Sequence, residues 1–467
     1  MRARVRSGIV GTYQVILMSV IIIVPSALIA QPPEWEMEIV DTEDVSTYLS
    51  LKLDTDGYPN ISYRGFPSAY VRYAYRYNET WYIEEVDTIG SGTSLTIDDN
   101  DVCHITYGST PDHFIKYARQ NGSGWFIETI DTDMNVGGQT SIALDSNGEP
   151  HIGYCRSDYS PNGYVPQDPK YAWHDTSGWH IETIEDGVTS GKYMSLSIDS
   201  SDRVHIAYCT MVGYTSINVP DRVRYAQKTE SGWSIDTLTP LNSYCTFPSL
   251  VLDKNDIPHI SYVRTSNTLW YAVKYADEWK FEIVEDEGPF TGVSIAVDSA
   301  GLPHISYHSG SLNSLMYARR DPAGWHFAAI GVGGSPSIQL GPLCRPRIAY
   351  VHPGYDDLMF TEGPPSIPLL GIVQAGELHL SWISADEISN FWLYGAPNNS
   401  FFPAGMTPGF ENRLAVLPPA VTSWSSPNGI GDPDIEWTYL LIPVDDSNTE
   451  IIRSNRLGER NLQMDIP

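Results

Sequence analysis

Between residues 44 and 362 the chain alternates apolar and polar positions with the period of two that strands require, in short runs separated by turn-forming residues. The clearest unit is Ser141-Ile142-Ala143-Leu144-Asp145-Ser146-Asn147-Gly148-Glu149-Pro150-His151-Ile152-Gly153-Tyr154, followed by Tyr171-Ala172 and then by Gly178-Trp179-His180-Ile181-Glu182-Thr183-Ile184. Its first part predicts a hairpin: an alternating strand, a tight Asp-x-x-Gly turn whose Gly can take positive φ, and a second β-rich strand. Its second part predicts another hairpin, with a short polar turn ending at the Gly before Trp. Each unit therefore contains four strands and no helix.

Two fixed residues give the register. A Tyr closing the second strand recurs at Tyr63, Tyr107, Tyr154, Tyr208, Tyr262, Tyr307 and Tyr350, and a Trp opening the fourth recurs at Trp35, Trp81, Trp125, Trp179, Trp233, Trp279 and Trp325. Steps between the Tyr residues run 44, 47, 54, 54, 45 and 43. Four-stranded units at this spacing predict an all-β fold, a seven-bladed β-propeller over residues 31–362. Its seventh unit lacks the Gly-Trp strand, because Pro364 and Pro365 stand where it is due. The orphan run Trp35-Glu36-Met37-Glu38-Ile39-Val40-Asp41 matches Trp81-Tyr82-Ile83-Glu84-Glu85-Val86-Asp87, so the ring is expected to close through the N-terminal strand. Trp on the outermost strand suits the wide end of the gap between blades, and Ser, Ala and Leu suit the narrow end.

The ends follow other patterns. Residues 1–30 carry Arg2, Arg4 and Arg6 before an apolar run from Val15 to Val24 and small residues from Ala27 to Ala30, as a cleaved export signal does; a retained anchor is the alternative. No other run is long enough to span a bilayer as a helix, so no membrane span is expected after cleavage. Residues 363–467 open on a Pro-rich linker. The runs Leu378–Trp382, Phe391–Tyr394, Trp437–Asp445 and Ser454–Gly458 then predict a C-terminal β-sandwich.

Charge narrows the partners. With 28 Lys and Arg against 57 Asp and Glu the net charge is −29, which disfavours nucleic acid and anionic membrane as main partners. Glu84, Glu128, Glu182, Asp236 and Glu282 share one outer-strand position, where charge discourages edge-to-edge pairing. Five cysteines, an odd number, leave at least one thiol free; Cys209 and Cys245 are close enough in the repeat to pair, and buried thiols are the other reading.

Most repeated polar residues belong to the fold. His104, His151, His205, His259 and His304 read as hydrogen-bonded packing residues rather than a metal cluster, and Asp54, Asp98, Asp145, Asp199, Asp253 and Asp298 as caps of the hairpin turns. Asp131-Thr132-Asp133-Met134-Asn135-Val136-Gly137 has the carboxylate spacing of a calcium loop, but its Gly stands one place late and a twelfth-position Glu is missing. A solvated crossover loop is the preferred reading, and no cofactor is expected, calcium being the weaker alternative. Chemistry is sought instead in residues that break the repeat. Cys155–Asp168 and Cys209–Asp221 predict two long neighbouring loops on one rim, and Tyr159, Tyr164 and Tyr214 there offer flat faces for sugar rings. Arg64, Arg156 and Arg264 follow the second-strand Tyr on the same variable rim, placed either to clamp a carboxylate or to neutralise nearby Asp and Glu. At the mouth of the ring's central channel, Arg64, Arg264, His308 and His352 are the next candidates.

The Pro-His-Ile-Ser-Tyr repeats resemble those of secreted prokaryotic propellers and are distantly similar to sialidase-type propellers, whose Ser-x-Asp-x-Gly-x-Thr-Trp turn has a counterpart in Asp175-Thr176-Ser177-Gly178-Trp179. Here Gly directly precedes Trp. The Leu-Ser-Trp opening at 380–382, the Tyr-rich strand into Val444-Asp445, and Ser454-Asn455-Arg456-Leu457-Gly458 resemble fibronectin type III modules. The resemblance implies a secreted, monomeric recognition protein that binds a glycan or extracellular surface protein through its variable rim. A polysaccharide lyase or glycosidase and a structural envelope component are the alternatives.

Overall fold

The structure is a computed structural model. It describes residues 35–364 apart from 46–47, 67–68, 110–113, 133–138, 161–162, 187–188, 212–221, 240–244, 265–266, 276, 322–323 and 355, and beyond 368 a set of backbone strands. The repeat forms seven four-stranded antiparallel sheets, the blades of a propeller. Blade one runs outward through Ser50–Leu53, Pro59–Arg64, Val71–Tyr77 and Thr80–Asp87, and blades two to six repeat the order. Blade seven is built from Gly334–Leu340, Pro346–His352 and Asp357–Glu362, and its outermost strand is Glu36–Asp41 from the N-terminus. That strand pairs in antiparallel register from Glu36 opposite Glu362 to Asp41 opposite Leu358.

The hydrophobic core is divided. Seven clusters of buried residues lie one at each interface between neighbouring blades, and the seven second-strand tyrosines are among the largest fully buried side chains. Each outer Trp packs edge-on against an aromatic ring of the preceding blade: Trp125 on Tyr73, Trp179 on Tyr117, Trp233 on Tyr171, Trp279 on Tyr225, Trp325 on Tyr271, Trp35 on Tyr317 and Trp81 on Phe360, with centroids 5.1–5.7 Å apart. The contact of Trp35 with Tyr317 and that of Trp81 with Phe360 carry the series across the seam of the ring.

The outer-strand acids are used differently from the expectation. Rather than merely charging an edge, Glu38, Glu84, Glu182 and Asp236 accept the indole N–H of the next blade's Trp at 2.7–3.0 Å. Burying an indole N–H calls for such an acceptor, although Trp179 and Trp325 lack one. The second-strand tyrosines bond backward in the same way, Tyr63 to Asp41, Tyr107 to Asp87, Tyr154 to Asp131 and Tyr208 to Glu185, at 2.6–2.8 Å. Asp131, the first residue of the candidate calcium loop, thus has its carboxylate in a blade interface, where Lys170 also approaches it at 3.5 Å; residues 133–138 lie outside the described set.

The histidine series packs as read. Nδ1 of His104, His151, His205, His259 and His304 meets the hydroxyl of Tyr117, Tyr171, Tyr225, Tyr271 and Tyr317 at 2.5–2.6 Å. Blade one has Asn60 at this position, and Tyr73 donates to its Oδ1 instead. The turn Asp residues accept from backbone N–H groups two and four positions on, as at Asp98, Asp145 and Asp253. In three turns the expected Gly is Asp, and Asp101, Asp202 and Asp256 still take φ of 59–61°. Their carboxylates bind Thr55, Ser146 and Ser200 of the preceding blade, a bond that compensates the backbone strain. All five cysteines are thiols; Cys209 and Cys245 share one apolar cluster with no disulfide between them, and burial pushes Cys103 up to about 12.

One expected loop is a sheet. Over Cys155–Asp168 the second and third strands of blade three continue as a hairpin, Pro150–Ser160 against Gly163–Asp175, with Tyr159 opposite Tyr164. Residues 212–221 of the other long loop lie outside the described set. Past the linker, Glu377–Trp382 pairs with Leu369–Gln374 and Ser423–Ser425, and Asn390–Pro397 pairs with Arg413–Leu417 and Trp437–Val444. Leu457–Gly458 joins the second of these sheets, and 454–456 lies outside the described set.

Two outcomes test this architecture. Deleting 35–41 leaves the third strand of blade seven as an open edge and removes the partner of Tyr317, so size-exclusion chromatography should show oligomers or the melt should lose its cooperativity. Trp35→Ala alone should cost about 3 kcal/mol in urea titration. The second concerns pH. Burial lowers the pKa of His104, His151, His205 and His259 despite the nearby Asp residues. Their folded values lie below the unfolded value of about 6.5, so their stabilisation is complete above that pH and declines as pH falls and the unfolded chain takes up protons. His151→Asn, copying Asn60, should keep the fold and reduce the slope of stability between about pH 6.5 and 5 by up to about 1.4 kcal/mol per pH unit.

Candidate functional site

The inner strands surround a central channel with a cavity of about 250 Å³, lined from all seven blades. Its wall is set by a ring of serines at one repeat position. Oγ of Ser50, Ser94, Ser141, Ser195, Ser249, Ser294 and Ser337 accepts the backbone N–H of Leu95, Ile142, Leu196, Leu250, Ile295, Ile338 and Leu51 in the next blade, at 2.9–3.2 Å. The last bond, from Leu51 to Ser337, closes the circle. A larger side chain would hold the blades apart, and a side chain without an oxygen would leave a buried N–H unpaired.

Two residues before each serine, where the chain arrives from the variable rim, the backbone bulges. Register breaks there in blades two, four, five, six and seven. In six blades this residue takes left-handed φ: Tyr48 at 76°, Gly92 at 66°, Tyr193 at 60°, Phe247 at 55°, Gly292 at 56° and Ser335 at 52°. Glycine adopts this conformation freely, whereas an aromatic residue pays roughly 1–2 kcal/mol. Blades one, four and five nonetheless place Tyr48, Tyr193 and Phe247 there, all at the channel. Tyr48 is 38 % exposed, and the rings of Tyr193 and Phe247 lie 4.4 Å apart, inclined at 47°. Blade two carries Gly92 at this position, so the bulge itself requires no ring; Tyr193 and Phe247 also pack against the clusters at the adjoining blade interfaces, while Tyr48 stands exposed.

Lys52, two residues past Ser50, also lines the channel and is the one charged side chain among the described lining residues. Burial lowers its pKa from the usual lysine value. The channel and its mouth thus combine aromatic faces, hydroxyls and an ammonium, an arrangement able to stack a sugar ring and bond its hydroxyls.

Four of the sequence candidates have described side chains. Arg64 and Arg264 end the second strands of blades one and five, with their guanidinium groups over Phe66 at 5.5 Å and Trp270 at 5.6 Å. Phe66 is itself exposed, so Arg64 belongs to a surface aromatic–cation pair on the variable rim. His308 bonds Thr291 at 3.0 Å beside the bulge of blade six, and His352 accepts from the Gly354 N–H at 3.2 Å. None of these four lines the channel. Arg156, Tyr159 and Tyr164 sit on the extended hairpin of blade three as backbone positions, their side chains outside the described set; Tyr214 lies wholly outside it. Sequence reasoning missed Tyr48, Tyr193 and Phe247. Their signal was available, since the position two before each repeated serine changes from blade to blade while its frame does not.

No family model matches the chain, and no curated protein matches its sequence. Solved structures do share the fold. An ulvan lyase of polysaccharide lyase family PL25, bound to -[GlcA(1-4)Rha3S]-, aligns with a TM-score of 0.52 at 15% identity, over 70% of this chain and 96% of its own. An α-L-arabinanase of Penicillium chrysogenum complexed with arabinobiose aligns with a TM-score of 0.42 at 9% identity, over 71% of this chain and 96% of its own. A lectin of Aleuria aurantia aligns with a TM-score of 0.41 at 10% identity, over 61% and 96%. At 15% identity the likeness to the ulvan lyase is one of fold.

Ring-building and mouth-forming residues should separate by stability. Ser94→Ala leaves the Ile142 N–H without its acceptor and should cost about 1–3 kcal/mol in urea unfolding. Tyr48→Gly relieves a left-handed residue and loses a half-exposed ring, so its unfolding midpoint should stay within about 1 kcal/mol of the parent.

Proposed function

We propose that the protein is an exported carbohydrate-recognition protein whose ligand seats at the variable-rim mouth of the channel. The observation that carries this reading is the aromatic set Tyr48, Tyr193 and Phe247, held in left-handed bulges above a ring of hydroxyls. Flat rings beside polar groups are what a pyranose needs, its apolar face on the ring and its hydroxyls on oxygen. The extended hairpin of blade three lies on the same rim and supplies a second wall, with Tyr159 and Tyr164 in register at its tip and Arg156 below them. Ulvan lyase, which shares the fold, is described with a bound polysaccharide, and this supports the ligand class without specifying it.

The remaining parts fit a surface role within the same proposal. Residues 1–30 act as a cleaved signal, and residues 363–467 form a fibronectin type III-like module that spaces the propeller from its attachment. The strands pairing at Glu377–Trp382, Asn390–Pro397 and Trp437–Val444 support the second point.

A glycan array followed by titration of the best binder tests the reading. Tyr48→Gly and Tyr193→Gly should weaken binding at least tenfold with the melting temperature little changed, and replacing Tyr159, Tyr164 and Tyr214 together by Ala should weaken it further. Undiminished affinity in the channel-mouth variants would place recognition elsewhere on the molecule.

A further inference from the structure

Among the described residues lining the channel, Lys52 carries a charge whose presence the ring architecture does not explain. At the position of Lys52 the other blades carry Thr96, Ala143, Ser197, Val251, Ala296 and Gln339, so the scaffold accepts small, polar or apolar residues there and requires no ammonium. Several other described cations of the propeller pair with acids: Arg72 with Asp41, Lys116 with Asp87, Arg224 with Glu185, Lys274 with Asp236, and Arg347 with Glu362, whereas the buried Nε atoms of Arg64 and Arg222 have no partner among the described residues. Lys52 makes no ion pair or hydrogen bond among the described residues, in a chain with 57 acidic residues against 28 basic ones. A partly desolvated cation without a counter-charge is costly, and an anionic ligand relieves that cost.

The surroundings favour a ligand anion arriving from one side. On the turn rim, two residues beyond the Lys52 position and its equivalents, stand Asp54, Asp98, Asp145, Asp199, Asp253 and Asp298, which repel an anion. Toward the variable rim the lining is uncharged, with the aromatic mouth above it. Along the way the serine ring offers hydroxyls: each Oγ accepts one N–H and retains its own O–H to donate, and those of Ser50, Ser94 and Ser141 have no other acceptor among the described residues.

We infer that Lys52 is an oxyanion site inside the channel, and that the ligand stacked at Tyr48, Tyr193 and Phe247 is an acidic glycan whose carboxylate or sulfate reaches the ammonium. This rests on the carbohydrate reading for the identity of the ligand, whereas the anion site itself does not. It distinguishes the proposed ligand from neutral glycans. It also gives the net negative chain a reason to keep a cation in its channel, since the surrounding negative field alone would disfavour an acidic polymer.

The test uses the full chain, Lys52→Gln and Lys52→Arg. Glutamine already occupies the equivalent place at Gln339, so the first variant should fold, and the second preserves the charge. Melting temperatures in sodium sulfate and sodium acetate are compared with sodium chloride at matched ionic strength. Isothermal titration then compares a neutral oligogalactoside, an oligogalacturonate and a sulfated oligogalactoside of equal length. The parent should be stabilised by the oxyanions and bind an acidic oligosaccharide about tenfold more tightly than the neutral one. Lys52→Gln should lose both effects, Lys52→Arg should retain them, and Tyr48→Gly should weaken every oligosaccharide. Preference for galacturonate identifies the carboxylate as the group on Lys52, and preference for the sulfated sugar identifies the sulfate ester. If sulfate or acetate stabilises the parent through Lys52 but no oligosaccharide binds, the anion site stands and the carbohydrate reading fails. If neutral and acidic sugars bind equally, with dependence on Tyr48, the carbohydrate reading stands and the oxyanion site is overturned. Oxyanion effects that persist in Lys52→Gln overturn it as well.

Discussion

The bond on which the ring depends is the one between a serine oxygen and the next blade's backbone. Inner strands present one edge to the channel, where no further strand can pair with it, and neighbouring blades must approach closely at this narrow end. Seven Oγ atoms meet both demands, each bonding the N–H of the following blade, and the bond from Leu51 to Ser337 joins the last blade to the first. At the wide end the same contact between neighbours is made by size rather than smallness. Each Trp reaches an aromatic ring one blade back, and acids accept four of the indole N–H groups. The taper of the gap thus sets the residue type at each radius.

Such a ring commits most of its polar groups before any ligand is considered. The five histidines bind tyrosines, the turn aspartates bind their own turns, and the carboxylates ending the outer strands bind the Tyr hydroxyls of the next blade. A carboxylate or imidazole that looks chemically promising in the sequence is therefore occupied wherever all blades share it. The groups that the ring does not use in every blade are those by which one blade differs from another. Lys52 in place of a small residue, and Tyr48, Tyr193 and Phe247 in place of glycine, are differences of this kind, and they gather at one channel. The extended hairpin of blade three is another, on the same rim.

A seam closed by an N-terminal strand also ties the chain's ends together at blade seven. Glu36–Asp41 pairs with Asp357–Glu362, the strand immediately before the Pro-rich linker, and Glu362 is held by Arg345 and Arg347. Burial opposes ionisation of Glu362, but these two guanidinium groups lower its pKa below the usual carboxylate value. Whatever follows residue 362 is therefore anchored to a strand locked by both backbone pairing and charge.

The sequence by itself determined the number of blades, the four-stranded unit, the closing role of Trp35–Asp41 and the packing role of the histidines. These are legible because a repeat prints each interface seven times, and a residue that must fill the same space in every blade cannot vary freely. It also placed Arg64 and Arg264 on the variable rim, where the structure has them. Tertiary structure alone decided what crosses between blades: that the serines bond the neighbouring backbone, that outer acids receive indole N–H groups, and that Cys155–Asp168 is a hairpin rather than a loop. It alone brought Tyr48, Tyr193, Phe247 and Lys52 to one channel. Residues 48 and 247 are almost two hundred positions apart, and their convergence depends on ring closure and on the sign of φ at a bulge. The sign of φ is not written in the pattern of polar and apolar positions, because a left-handed bulge re-aims a side chain without changing the alternation around it.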